Sequence, residues 1–293
     1  MTTGVTTPPP SNATDRGRIA FQGELGAFSH QACREVYGAM EPLPCRTFEA
    51  ALEAVRTREA ELAMMPIENS LYGRVADLHH LLPDSGLYAI GEHFVPIRLQ
   101  LLGLKGAELA DITEAQTHMV ALGQCQKFLT KHGITGITGA DTAGSAREVV
   151  EAGMAHRAAI SSALAGEIYG LINLAPDIED MDHNTTRFLV LSRRRIEADP
   201  TEGPAITSFV FEVRNLPAAL YKAMGGFATN GVNMTKLESF MIGGSFTATR
   251  FYAEIEGHPD DPAVGRALDE LQFFCKAFKV LGVFPMHARR LET

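Results

Sequence analysis

Strand-like and helix-like segments take turns along residues 18–96, and that alternation restricts the chain to a small set of α/β folds. "RIAFQG" (18–23) reads as a strand ending in Gly23. "ELGAFSHQACREVYG" then turns into a helix, with Ser29 near its start and Gly38 as its stop. "TFEAALEAVRTREA" (47–60) places Phe48, Leu52 and Val55 on one helical face. "ELAMMPIENS" (61–70) is a buried strand running into a polar loop, and "VADLHHLL" (75–82) is helical. The pattern predicts a parallel sheet with helices on it. From Ile97 it repeats in kind: a strand in "PIRLQLLGL", a helix over 122–133 closed by Gly133, and a helix over 141–153 opened by Asp141 as N-cap. "RAAISSALAGEIYGL" (157–171) is a strand leading into a helix. Two α/β lobes with a cleft between them is the simplest architecture.

"RRRIEADPTEGPA" (193–205) is charged and carries two prolines and a glycine, which marks a linker. Beyond it the order changes. A strand (206–213), a helix (216–231, Pro217 in its first turn, Gly231 at its end), two hairpin strands (232–241 and 246–257) around "IGGS", a helix (263–278) and a strand (279–285) follow. That order, βαββαβ, is the ferredoxin-like plan, with helices covering one face of an antiparallel sheet and an edge open to another subunit.

Composition narrows the function. Lys plus Arg number 26 against 35 Asp plus Glu, a net charge of −9, which excludes a broad nucleic-acid footprint. A locally positive cleft for a small anion stays open. Cys33, Cys45, Cys125 and Cys275 lack CxxC spacing, so neither disulfides nor a zinc site is expected, and a reducing compartment fits. "MTTGVTTPPPSNATDRGR" has no apolar core and reads as a disordered tail, and no apolar run reaches the ~18 residues of a membrane span. The cytoplasm is the expected location.

Several stretches carry candidate chemistry. In "MDHNTTRFLVL" (181–191) six polar residues enter an apolar strand. Strand alternation puts Asn184, Thr186 and Phe188 on one side and Thr185 and Arg187 on the other. A cleft on the first side would receive an amide, a hydroxyl and an aromatic edge, with Arg187 bracing the loop or reaching round to a carboxylate. A polar turn whose Asn and Thr cap backbone groups explains the same spacing. "PIENS" (66–70) sends Glu68, Asn69 and Ser70 out of a buried strand, where ligands gather in open α/β sheets, or where a helix is merely capped. "GELGAFSHQA" (23–32) resembles an anion-binding turn around Ala27, Phe28 and Ser29, but lacks GxGxxG, and no GxxxxGK[ST] occurs, so nucleotide binding is disfavoured. In "ISSALAG" (160–166), Ser161 and Ser162 open a helix as caps or as carboxylate ligands. The histidines fall in no HExxH or metal-ligand frame, and GxSxG is absent.

Taken together, "GELGAFSHQA", "PIENSLYGRV", "ALGQCQKFL", "SSALAGEIYGL" and "NTTRFLVL", followed by "LPAALYKAMGGFATNGVNMTKLES", make the chain resemble prephenate dehydratases of the fused catalytic-plus-ACT type, over about residues 18–290. The resemblance implies a tail (1–17), a catalytic domain (18–196) whose two periplasmic-binding-protein-like lobes split near 96 and 178, a linker (197–205) and an ACT domain (206–290). It implies conversion of prephenate to phenylpyruvate, water and carbon dioxide without metal or organic cofactor. L-phenylalanine is the implied feedback effector at a subunit interface of a homodimer or homotetramer, and neither nucleic acid nor membrane is a partner. The family's essential threonine falls on Thr186, as donor to the leaving hydroxyl. Glu68, if buried and protonated, is a second acid. Asn69, Ser70, Ser29, Ala27, Phe28, Ser161, Ser162, Asn184, Arg187 and Phe188 are the implied substrate contacts.

The effector site falls on Asn215, Leu216, Pro217, Ala218, Ala219, Leu220, Glu238 and Ser239. Two departures stand there: the family's glycine-Ala-Leu reads Ala218-Ala219-Leu220, and Glu-Ser-Arg-Pro reads Glu238-Ser239-Phe240-Met241. The family's Ser-His-Pro-Gln reads Thr117-His118-Met119-Val120, which leaves His118 without an assigned role. Arogenate dehydratase is the same chemistry on an amino substrate, and residue spacing does not separate the two. A non-catalytic amino-acid sensor would not need the Thr186 hydroxyl. A chorismate mutase fusion would need a helical domain longer than the 17 residues ahead of Arg18.

Overall fold

A computed structural model of the chain describes residues 17–241 and 248–291. The expected tail (but for Gly17) and the expected "IGGS" turn lie outside the described residues. The first lobe runs β1 (Arg18–Gln22), α1 (Phe28–Tyr37), β2 (Glu41–Cys45), α2 (Phe48–Arg56), β3 (Leu62–Asn69), the two-residue β4 (Gly73–Arg74), α3 (Ala76–Leu81) and β5 (Tyr88–Pro96). The chain then crosses to a second lobe of β6 (Gln100–Gly103), β7 (Glu114–His118), α4 (Met119–Gln124), α5 (Gln126–His132), β8 (Thr135–Gly139), α6 (Thr142–Ala152), β9 (Arg157–Ser161), α7 (Ala163–Tyr169) and β10 (Ile172–Ala175). It returns to the first lobe as β11 (Thr185–Ser192).

The first-lobe sheet has the order β2-β1-β3-β11-β5. It is mixed rather than parallel as expected: β2, β1 and β3 are parallel, while β11 runs antiparallel to both β3 and β5. The returning β11 takes the slot between β3 and β5. Its run Phe188–Leu191 is buried on both faces, as a central strand requires. The second-lobe sheet has the order β10-β6-β9-β7-β8.

Caps set the helix boundaries. Thr47, Asp141 and Ser162 accept from the backbone N–H groups of Ala50, Gly144 and Ala165, and Gly133, Gly153 and Gly170 close helices in the left-handed conformation. The expected helix over 122–133 is broken at Cys125, which leaves helical backbone (φ −121°, ψ 19°) and divides it into α4 and α5. Asp180 on the return crossover is the cause: its N–H donates to Gln124 O at 2.6 Å and its carboxylate accepts from Lys127 N at 3.1 Å. An inserted polar group of this kind interrupts the i→i−4 ladder.

The C-terminal domain follows the βαββαβ order: β12 (Ala205–Val213), α8 (Ala219–Thr229), β13 (Met234–Met241), β14 (Ala248–Glu256), α9 (Pro262–Phe274) and β15 (Cys275–Pro285). Its antiparallel sheet has the order β13-β14-β12-β15. Two boundaries differ from expectation. The last helix stops at Phe274, because Cys275 is extended and pairs with Val213. Ala218 is left-handed, so Pro217 stands outside α8. Phe209, Phe211, Phe251 and Leu271 pack one sheet face against α8 and α9. Ile206, Val210, Tyr252 and Phe284 pack the other against Ala89, Leu189 and Leu191 of the first lobe. Full burial of each such side chain is worth roughly 1.5–3 kcal/mol, so the two domains share one apolar core. Among the described residues no helix is long and apolar enough to cross a membrane.

Candidate active site

Phe188 is buried in the first-lobe core, and Asn184 and Thr186 share its side of the chain. All three line a cavity of about 350 Å³, inside the ~300–1,000 Å³ range of small-molecule sites. Gly23, Phe28 and Asn69 close it from the first lobe, His118 and Asp141 from the second, and Ile97 and Leu99 from the crossover.

Asn69 and Thr186 stand opposite each other in the β3–β11 register. Asn69 Nδ2 donates to Thr186 Oγ1 at 3.0 Å and to Asn184 Oδ1 at 2.7 Å. Asn69 Oδ1 accepts from the N–H groups of Leu71 (2.9 Å) and Tyr72 (3.0 Å), which fixes which end of the amide faces Thr186. With an N–H on its oxygen, the Thr186 hydroxyl is left to donate its own proton, and the cavity lies on its open side. Asn184 is buried at the wall, and its Nδ2 has no partner among the described residues. An unmet buried donor costs about 1–3 kcal/mol, which a substrate oxygen would recover.

The N-terminus of α1 also faces the cavity, through Ala27, Phe28 and Ser29. No side chain caps this helix. Its first-turn N–H groups therefore suit a carboxylate. The loop ahead of it is held from both lobes. Gly26 has φ +92°, and a Cβ there would stand 2.7 Å from Ala165 Cα. Gly26 O accepts from Ser162 Oγ at 2.5 Å, and Gly26 N donates to His30 Nδ1 at 3.0 Å. Burial, then the Arg34 charge, holds the His30 pKa below its ordinary value and keeps this nitrogen free to accept.

Several expected residues stand elsewhere. Glu68 and Arg187 lie on the reverse face, lining a second cavity of about 340 Å³ with Ser70, Thr185 and Arg289. Glu68 is not a protonated acid. Burial pushes its carboxyl up, but the Arg187 and Lys236 charges outweigh that and hold it below the ordinary range. Arg187 is not a substrate contact: it is 3% exposed and bonds to Glu68, Glu92 and Glu254. Ser70 donates to His183 O and accepts from Thr185 N, clamping the entry to β11. Ser162 is spent capping α7 and holding Gly26, and neither it nor Ser161 is among the residues that line the cavity.

On the C-terminal domain, Asn215–Ala218 form an exposed turn before α8, leading into Ala219 and Leu220. Glu238 and Ser239 lie on β13, where Arg74 Nη1 donates to Ser239 O at 2.9 Å and stands 3.6 Å from Glu238.

The sequence marks Asp141 only as a cap and gives His118 no role. Both end strand or loop segments that face the cleft, and the rule that ligands gather there could have found them. Asp141 is the one Asp, Glu, Lys or Arg lining the main cavity among the described residues. No group of three or more His, Cys, Asp or Glu side chains among the described residues is arranged to hold a metal ion.

A family model described as prephenate dehydratase matches residues 19–196. The chain is 49% identical, over 91% of its length and 95% of the relative's, to a bifunctional N-acyl-homoserine lactone acylase/prephenate dehydratase of Komagataeibacter europaeus. It is 35% identical, over 94% of its length and 74% of the relative's, to the chloroplastic arogenate dehydratase/prephenate dehydratase 2 of Arabidopsis thaliana. Among solved structures, the prephenate dehydratase of Arthrobacter aurescens in complex with L-Phe superposes with a TM-score of 0.83 at 34% identity, covering 92% of this chain and 90% of that one.

Proposed function

The chain belongs to the prephenate dehydratase family of hydro-lyases, and we propose that it converts prephenate to phenylpyruvate, water and carbon dioxide in the cleft beside Thr186. The observation that carries this reading is the Asn69–Thr186 pair at the cavity wall, in which the Thr186 oxygen accepts from Asn69 and its own O–H is free to donate to a substrate oxygen. Loss of carbon dioxide sends the electron pair of the breaking C–C bond into the ring. The ring then aromatises as the C–O bond to the hydroxyl breaks. Negative charge grows on that oxygen, which leaves as hydroxide and is protonated to water. A threonine is a poor acid, so Thr186 acts by a hydrogen bond that strengthens as this charge develops, an effect worth ~10²–10³ in rate. The uncapped α1 N-terminus takes one carboxylate, and Asn184 Nδ2 takes a further substrate oxygen. Thr186→Val tests the reading. Loss of phenylpyruvate formation from prephenate with the fold retained is expected, and near-normal turnover would reject it.

The exposed turn before α8 and the edge strand β13 form the L-phenylalanine site of a homodimer or homotetramer. The phenylalanine complex of the Arthrobacter aurescens relative supports this, as do exposed Tyr221 and Phe273 on the C-terminal domain. Titrating phenylalanine into the activity assay should lower turnover; no response at millimolar levels overturns the regulation.

A second reading, arogenate as substrate, is favoured by one observation: Asp141 offers a carboxylate to an ammonium group in a cavity wall without Lys or Arg among the described residues. Side-by-side kcat/KM values decide between the two. The acylase activity in the name of the Komagataeibacter europaeus relative would draw on the cavity's apolar wall with Ser29 and His118. Hydrolysis of an N-acyl-homoserine lactone by the purified protein is its assay.

A further inference from the structure

Thr186 and Asn69 act from the front of the sheet, and their immediate neighbours are tied from behind by the C-terminal domain. In the β3–β11 register, Thr186 stands opposite Asn69 and Arg187 opposite Glu68. Arg187 Nη1 donates to Glu68 Oε1 at 2.8 Å and its Nε to Glu92 Oε2 at 2.7 Å, both within the first lobe. Its Nη2 crosses the domain boundary to Glu254 Oε1 of β14, also at 2.8 Å. Lys236 of β13 crosses to the other carboxylate oxygen of Glu68. Arg290, beyond β15, donates to both Glu92 and Glu254. Arg289 Nη2 donates to Thr185 Oγ1 at 3.0 Å. Thr185 and Arg187, on either side of Thr186, and Glu68, next to Asn69, are therefore all held by C-terminal-domain groups.

We infer that Lys236 and Arg289 are positioning residues for the dehydration: acting through Glu68 and Thr185, they set the placement of Asn69 and the Thr186 hydroxyl from the C-terminal domain. β13 carries Lys236 two residues before Glu238 and three before Ser239, and the same strand meets β4 through Arg74. A shift of β13 on effector binding would thus pull directly on Glu68. A displacement of the reacting groups by ~1 Å is enough to cost up to ~10²-fold in rate. The alternative is a cluster that merely glues two domains together, with no bearing on the rate of folded protein.

The inference rests on the reading of Thr186 given above, and the test separates the two. Lys236→Met and Lys236→Arg are compared on the full chain, with Thr186→Val as reference. Lys236→Met should lower kcat about tenfold with KM for prephenate held within about twofold, and Lys236→Arg should restore most of it. Arg289→Met loosens β11 rather than β3, through the peripheral bond to Thr185, and should lower kcat about threefold, which keeps the question answerable if Lys236→Met does not fold. If Thr186→Val is inactive while the folded Lys236 and Arg289 variants turn over at the wild-type kcat, the cluster is only structural and the inference is overturned. If Thr186→Val is itself active, the reading of the site has failed instead.

Discussion

Replacing Asn69 with aspartate changes one atom and reverses the logic of the site. Asn69 Nδ2 now donates to Thr186 Oγ1 at 3.0 Å. A carboxylate oxygen in its place accepts instead, so the Thr186 proton turns away from the cavity, and a negative charge appears where the leaving hydroxide develops its own. The other carboxylate oxygen still accepts from Leu71 and Tyr72 N–H, so the loop keeps its shape. Asn184 Oδ1, left facing an oxygen at 2.7 Å, is relieved by a flip of its amide, because Asn184 Nδ2 is without a partner among the described residues and can take over. The expected loss is that of one preorganised donor, about 10²–10³ in kcat or roughly 3–4 kcal/mol. The thermal midpoint should move by only about 2–4 °C. Steady-state production of phenylpyruvate and a calorimetric scan measure the two. The ratio of variant to wild-type kcat should rise as the pH falls toward about 4, where a protonated aspartate donates again. A variant within about threefold of wild type at pH 7 would show that Asn69 does not orient Thr186.

Three further outcomes follow from the same structure. The His30 pKa lies below its ordinary value, so its stabilising effect is full above about 6.5 and fades as the pH falls. Protonation removes the acceptor of Gly26 N–H, so KM should rise on the acid side while kcat holds; a flat KM down to about pH 5 refutes the link. Burial raises the Glu254 carboxyl, but Arg187 and Arg290 outweigh it and hold it to about 2. Its contribution, roughly 3 kcal/mol, is present above the ordinary carboxylate range and lost as the pH falls toward that value. Glu254→Gln should cost about 3–5 kcal/mol at pH 7, and the gap in thermal midpoint should narrow below about pH 4; a constant gap contradicts the assignment. Ala218 holds φ +61°, a conformation costing a β-carbon about 1–2 kcal/mol. Ala218→Gly should therefore raise the midpoint by about 2 °C in calorimetry, and a fall would mean the turn is shaped by other contacts.

Local pattern made the two lobes and the βαββαβ domain legible, and strand parity alone separated the front of β11 from its back. The failures share one cause. The break at Cys125 is made by Asp180, far along the chain from the helix it interrupts. Ser162 reads correctly as a cap, but its bond to Gly26 O joins residues from two lobes. The continuous apolar run of "TTRFLVLS" suits a central strand, but its slot between β3 and β5 in particular depends on two crossovers. That Asn184, Thr186 and Phe188 share one side of β11 could be read, because alternation is a local property of a strand. Partners brought together only by the completed fold could not.

Glu68 shows how much turns on such partners. Its position at the end of a buried strand is visible in the sequence, and burial alone would raise its pKa and favour an acid. Arg187 and Lys236, both remote in sequence, reverse the sign. They belong to a set of three cations (Arg187, Lys236, Arg290) and three carboxylates (Glu68, Glu92, Glu254) at the domain boundary. Buried ion pairs of this kind seldom add stability over apolar packing, because desolvation offsets the Coulomb gain; their best-attested use is to fix register. The apolar surface shared by the sheet face and the first lobe already supplies adhesion. What packing does not supply is a unique placement of the C-terminal domain against residues 68 and 187, and adjacent to them on their strands stand Asn69 and Thr186. The ionic cluster is therefore best understood as setting geometry for the front of the sheet, with stability a secondary consequence.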